Sequence, residues 1–298
     1  MDWGFYAMVR KKIKKEFWGY FFIAPFLVVF LLFEIYPYIA SFYLSLFDYG
    51  LGKKHWIGLQ NYIHLFSDSV FLKSLFNTFA FVIGAVPITV IFSLFVANAV
   101  IRRSAKVISF FRASFYLPIV ASQVILSITW LWIYNPVNGV ANYVLSLVGV
   151  EPVMWLSNPS YALSSLILVV ITWSVGQPII LYLAAMGGIP KTYYEAASID
   201  GANSWRKFWH ITLPLLKPTT LYVVITSTIA AFQTFVVVQL LTAGGPNYGT
   251  STILYLLYET AFMYGKLGLA SAMGVILAAF ISVIAILQFK FFKSDFEY

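Results

Sequence analysis

Residues 190–218 read PKTYYEAASIDGANSWRKFWHITLPLLKP, a polar, charge-bearing island in a chain that is otherwise mostly apolar. Its local grammar is that of two short helices joined at a glycine. Thr192, with Glu195 three residues on, has the spacing of a capping box at a helix start. Asp200-Gly201 then closes the first helix, because glycine takes the left-handed conformation that ends a helix. A second helix runs through Asn203 to His210 and stops at Leu213-Pro214. Helix, glycine elbow, helix: the stretch is shaped to protrude and be gripped.

The surroundings set the fold class. Hydrophobic residues make up 61% of the 298 and charged residues only 10%, far from the balance of a soluble domain. Six apolar runs, about 17–47, 72–100, 110–133, 161–187, 218–243 and 268–289, each reach the roughly 20 residues that cross a bilayer. The expectation is an all-α polytopic membrane protein with six transmembrane helices. The run 17–47 is too long for the apolar core of a signal peptide, and longer than a crossing needs, so it tilts or projects. Before it, a basic segment 1–16 carries Arg10, Lys11, Lys12, Lys14 and Lys15, set apart from a membrane domain over 17–298. There are no cysteines, so disulfides and thiolate metal sites are excluded.

Charge sets the orientation. Counting the connections alternately, fifteen lysines and arginines fall on one side, the side of residues 1–16 and of 190–218. Four, Lys53, Lys54, Lys73 and Lys266, fall on the other. By the positive-inside rule both termini and the elbow are cytoplasmic. The net charge of +8 is thus a topology signal and not a nucleic-acid footprint.

Glu195-Ala196-Ala197, Gly201, and then Ile211, Leu213 and Pro214 together resemble the EAA loop of permease subunits of binding-protein-dependent ABC importers. The resemblance implies that this loop docks in a cleft of a separate ATPase and passes its closure to the membrane helices. A capping role for Glu195 is compatible with that, but accounts for neither Gly201 nor Leu213-Pro214. The opening FIAPFLVVFLLFEIYPYIASFYLSLFDY, the later WIGLQNYIHLF and SLFNTFAFV, and Leu241 to Thr250, LTAGGPNYGT, are similar to permeases of carbohydrate uptake. So are the stretch from Arg112 to Pro118 and that from Trp130 to Asn142. The implied assembly is a heterodimer with a second permease subunit, two ATPase subunits and an extracytoplasmic solute-binding protein in the cell inner membrane. ATP and Mg would be bound by the ATPase partners, with no cofactor in this chain.

Competing chemistries find little support. Gly52-Lys53 and Gly265-Lys266 lack the upstream glycine and the hydroxyl residue of a phosphate-binding loop, so the chain is not its own ATPase. His55, His64 and His210 form no HExxH, and neither metal nor nucleophilic catalysis is indicated. The expectation is a transport subunit and not an enzyme. An ion-coupled secondary transporter is the alternative, and Glu34 is its one intramembrane carboxylate candidate, toward the end of the first run.

A sugar is gripped by stacking on an aromatic ring and by neutral hydrogen-bonding side chains. Trp173 and Gln177 lie four apart, on one helical face. Ser227 and Thr234 lie seven apart, with Gln233 beside the latter. These five are the substrate-binding candidates, since the resemblance implies a cleft built by the fourth and fifth spans; helix packing is the other role open to each. Pro37, Pro87, Pro118 and Pro178 are expected to loosen or kink spans. Trp130, Trp132, Tyr134 and Trp155 read as an interfacial belt in contact with membrane lipid.

Overall fold

The computed structural model describes residues 19–50 and 52–292, and the chain is almost wholly helical there. Helix α1 (Gly19–Leu44) leads into an antiparallel hairpin, β1 (Phe47–Gly50) and β2 (Lys53–Trp56). Then follow α2 (Gln60–Ser67), α3 (Ser69–Val100), α4 (Ala105–Val120), α5 (Gln123–Ile133) and α6 (Val140–Ser146). The second half holds α7 (Ala162–Ser174), α8 (Gly176–Gly187), α9 (Lys191–Ile199) and α10 (Ser204–Leu215). It ends with α11 (Lys217–Phe232), α12 (Val236–Leu241), α13 (Ile253–Met263) and α14 (Leu267–Phe292). The basic segment 1–16, the start of the first apolar run, and Lys293 lie outside the described residues.

Six crossings are present, three unbroken and three bent. Helices α1, α3 and α14 are each long and apolar enough to cross alone; α4–α5, α7–α8 and α10–α11 are pairs bent by 97°, 41° and 67°, the last leading from the elbow limb α10 into α11. The run 110–133, read from sequence as one span, therefore turns through about a right angle at Ala121-Ser122. Pro118 removes an amide from the last turn of α4, and Ser122 starts a new helix by accepting the Ile125 N–H at 3.3 Å. The run 218–243 is likewise not one helix: α11 stops at Phe232, and Gln233 to Phe235 are irregular before α12 begins.

Helix α3 is the axis of the bundle, packing on α7, α8 and α11. Its buried stripe includes Ser74, Thr78, Ala85, Thr89, Ser93 and Ala97, while Phe76, Ile83, Ile91 and Phe95 are exposed. That inversion of the soluble pattern is what lipid requires, since small and hydroxyl residues let helices approach and apolar ones face the acyl chains. Helix α1, by contrast, has no buried residue in its apolar window and touches the rest chiefly through α14.

The prolines act in two ways. Pro37 and Pro214 each stand two residues after a π-helical turn, Leu31–Ile35 and Phe208–Thr212, whose wider winding accommodates the ring. The helix therefore does not stop at Leu213-Pro214 but continues to Leu215. Pro87 lies inside an unbroken α3 and marks no break.

Between α12 and α13 the chain dips back into the bundle. Thr250, Ser251 and Thr252 are fully buried, and their backbone is met by side chains of α3. Asn77 Nδ2 donates to the carbonyls of Tyr248 and Ser251, both at 2.9 Å, and Thr78 Oγ1 accepts the Ile253 N–H at 2.9 Å. Irregular backbone buried inside a membrane bundle needs protein partners of this kind. Helix α13, eleven residues long, is too short to cross.

The aromatic belt is also revised. Tyr134 is 4% exposed and donates to the Ser165 carbonyl at 3.1 Å, while Trp130 and Trp155 flank it at ring separations of 4.9 and 5.5 Å. Trp130 Nε1 donates to Thr172 Oγ1 and Trp155 Nε1 to Asn142 Oδ1. These three form an internal stack whose polar tips find partners within the protein. Only Trp132, 71% exposed, keeps the outward position of a belt residue.

Candidate functional site

The candidate residues fall in two regions, one at the helix breaks and one at the elbow. At the first, α7 ends in Trp173-Ser174 and the chain resumes as α8 after Val175. At the break α3 makes two contacts: Ser93 Oγ donates at 3.1 Å to the Val175 carbonyl, which also accepts the Ile179 N–H, and Thr89 Oγ1 lies 3.0 Å from Ser174 Oγ. Gly176 lets α8 cross against α4, since a Cβ there would collide with the Phe115 carbonyl. Facing this break across the bundle is the other one, at Gln233 to Phe235, where Thr252 Oγ1 holds the Thr234 carbonyl at 2.8 Å.

Two adjoining cavities, of about 30 and about 100 Å³, occupy the space between these breaks. Trp173 and Ser227 line both; Gln177 lines the second and Thr234 the first. The structure thus brings together four of the five substrate candidates. Gln233 is exposed and lines neither. Sequence reasoning missed Thr89, Gln123, Ser174 and Phe235 in the lining; the hydroxyls of α3 at helical spacing were the available signal.

The polar groups here are unequally satisfied. Thr234 Oγ1 donates to the Ala231 carbonyl at 2.9 Å. The indole Nε1 of Trp173 is buried and has no hydrogen-bond partner, and the Ser227 hydroxyl makes no hydrogen bond among the described residues. No Asp, Glu, Lys or Arg lines either cavity. Such a site can accept uncharged hydroxyl-bearing groups without paying the cost of burying an ion. Glu34 is exposed on α1 and lines neither cavity.

At the elbow, α9 begins directly after Pro190, which occupies the N-cap position with no side-chain cap. The capping box expected of Thr192 and Glu195 is not formed. A proline disfavours helix in the residue before it and fixes its own φ, so Pro190 and not Thr192 decides where the helix starts. Glu195 is consequently free of a capping duty and exposed, as is Ala196, with Ala197 half-buried. The helix ends in a Schellman motif: Ala202 N–H donates to the Ala197 carbonyl at 2.8 Å and Gly201 N–H to the Ser198 carbonyl at 3.1 Å. Gly201 has φ +74°, as that motif requires.

Asn203 caps α10, its side chain accepting the Arg206 N–H at 2.9 Å. The two limbs are tied by Tyr194 OH and Thr212 Oγ1, 2.9 Å apart, and by Lys207 Nζ donating to Ser198 Oγ at 2.6 Å. Ile211, Leu213 and Pro214 sit half-buried on the returning limb, which delivers the fully buried Leu216 to the core. Beyond the expected residues, Ile199 and Trp205 stand 88% and 69% exposed near the tip. Apolar side chains presented on a polar elbow form a surface that a protein can cover.

A family model described as the binding-protein-dependent transport system inner membrane component matches residues 66–294. The probable ABC transporter permease protein YesP of Bacillus subtilis is 38% identical, over 91% of this chain and 89% of its own. The lactose transport system permease protein LacF of Rhizobium radiobacter is 35% identical, over 91% and 92%. Among solved structures, the crystal structure of a bacterial alginate ABC transporter, in complex with an alginate pentasaccharide-bound periplasmic protein, superposes with a TM-score of 0.83 at 25% identity. That match covers 93% of this chain and 94% of that one. The chain belongs to the inner membrane components of binding-protein-dependent transport systems, and it is a transport permease subunit, not an enzyme.

Proposed function

We propose that this permease serves the uptake of a neutral sugar or oligosaccharide, with the cavity at the helix breaks as its half of the translocation path. The observation that carries the reading is the unpartnered indole N–H of Trp173 beside an uncharged polar lining. A neutral saccharide supplies hydroxyl acceptors and an apolar ring face, whereas an acidic one such as alginate would call for a cation that the lining lacks. The lactose permease LacF is a relative consistent with this class.

Cavities of this size are well below the roughly 300 Å³ or more of small-molecule sites. A second permease subunit completes the path, meeting the exposed Gln177 and Gln233. An extracytoplasmic solute-binding protein delivers the sugar, and two ATPase subunits carry ATP and Mg. The elbow over 190–218 docks on one of them through Glu195, Ala196 and the turn at Gly201. Ile211, Leu213 and Pro214 stiffen the return limb toward α11. Both termini then lie in the cytoplasm, consistent with Arg102, Lys191 and Lys207 sharing one end of the bundle.

The test is to purify the chain with its natural partners in lipid and assay ATP hydrolysis with a panel of saccharide-loaded binding proteins. Neutral sugars are expected to stimulate hydrolysis. Stimulation by uronic acids alone would refute the neutral-sugar reading.

A further inference from the structure

A third cavity, of about 390 Å³, lies where the elbow meets the bundle, and it is lined quite differently from the other two. Arg102, from the turn after α3, and Lys191 and Lys207, from the two limbs of the elbow, all line it. Asn98, Tyr194 and Thr212 add neutral polar groups, and no carboxylate is among the lining residues. The rest of the wall is apolar and comes mainly from the ends of α3 and α8. Lys207 Nζ donates to Ser198 Oγ, which is outside the lining, at 2.6 Å, and the lining residues Tyr194 and Thr212 hold each other at 2.9 Å.

We infer that this cavity binds a phosphate-type anion, either the headgroup of an anionic phospholipid or a free phosphate. Three cations from three separate segments line one cavity with no carboxylate among them, an excess of positive charge that an anion would offset. Basic pockets between membrane helices at headgroup level are suited to that role. The occupant would bridge the ends of two spans to both limbs of the elbow, so it would stiffen the joint through which movement at the elbow reaches α11. The inference does not depend on what the permease transports.

The experiment uses the full chain purified in zwitterionic phosphatidylcholine with a minor share of phosphatidylglycerol, and reads retained lipid by native mass spectrometry. A second arm, in phosphatidylcholine alone, follows melting temperature against inorganic phosphate. The cavity variant carries Arg102→Gln, Lys191→Gln and Lys207→Gln; its charge-matched control carries Arg103→Gln, Lys106→Gln and Arg206→Gln, none of which lines the cavity. Arg102→Gln alone serves if the triple variant does not fold. With a several-fold effect per cation, the cavity variant should lose preference for phosphatidylglycerol by roughly a hundredfold, against a far smaller loss in the control. Stabilisation by phosphate that vanishes in the cavity variant would identify a free anion as the ligand instead. Equal losses in variant and control, or neither retention nor stabilisation in the wild type, would overturn the proposal.

Discussion

Among the described residues the buried Trp173 N–H has no acceptor, and a buried donor left unmet costs about 1–3 kcal/mol. Trp173→Phe keeps a ring but removes the N–H. The expected outcome is a melting temperature unchanged or raised, together with weaker sugar stimulation of the ATPase. A fall in both would mean that the indole is needed for packing alone. Gln177 stands at the mouth of the same cavity and is exposed. Gln177→Ala should therefore leave stability untouched and weaken transport by about 1 kcal/mol, one hydrogen bond's worth, read as a shift in the half-saturating sugar concentration. Wild-type uptake by both variants would place the sugar elsewhere.

Elements impose larger penalties than single contacts. Gly201 sits at φ +74°, where a side chain opposes the backbone by roughly 1 kcal/mol or more, and the turn sets the angle between the limbs. Gly201→Asp should leave membrane insertion intact, because no span is touched. It should reduce ATPase co-purification or uncouple hydrolysis from uptake; full attachment with full coupled transport would remove the docking role from the elbow. The dipping segment is different in kind. Asn77 supplies both hydrogen bonds to the carbonyls of Tyr248 and Ser251. Asn77→Leu leaves the buried Ser251 carbonyl without that donor, at a cost of about 1–3 kcal/mol, whereas the Tyr248 carbonyl keeps the Ser251 N–H at 3.3 Å. A drop of several degrees in melting temperature should result, measured on the purified chain.

The whole molecule is organised by its two unlike ends. Arg102, Lys191 and Lys207 share one cavity, whereas Lys73 Nζ reaches the Asn247 carbonyl at 2.7 Å and Lys54 lies over the rings of Tyr43 and Phe47 at the hairpin. The chain has no cysteine, so single-cysteine variants report topology directly. Cysteines replacing the exposed Ser104 and Ser204 should be labelled only from the cytoplasm, and one replacing Ser157 only from outside. Labelling of the Ser204 position from outside would put the elbow on the wrong face for an ATPase. Uptake should also survive collapse of the proton gradient while ATP is maintained, because no carboxylate lines the path at the helix breaks.

By itself, the amino-acid sequence determined the class, the six crossings and the turn of the elbow. These depend on local quantities: the length of an apolar run against the bilayer thickness, and the backbone freedom of Gly201. The family resemblance also brought Trp173, Gln177, Ser227, Gln233 and Thr234 forward as one group, of which all but Gln233 line the two cavities. Only the tertiary structure decided where helices break. The break at Gln233 to Phe235 is allowed because Thr252 takes up the Thr234 carbonyl, and at Val175 the Ser93 hydroxyl adds a second donor to a carbonyl that already accepts the Ile179 N–H. The same dependence explains why Trp130, Tyr134 and Trp155 pack inward, since Thr172, Ser165 and Asn142 receive their polar tips. It also explains why residues 244–267 fold back into the bundle: the groups on α3 that satisfy them lie more than 170 residues away along the chain.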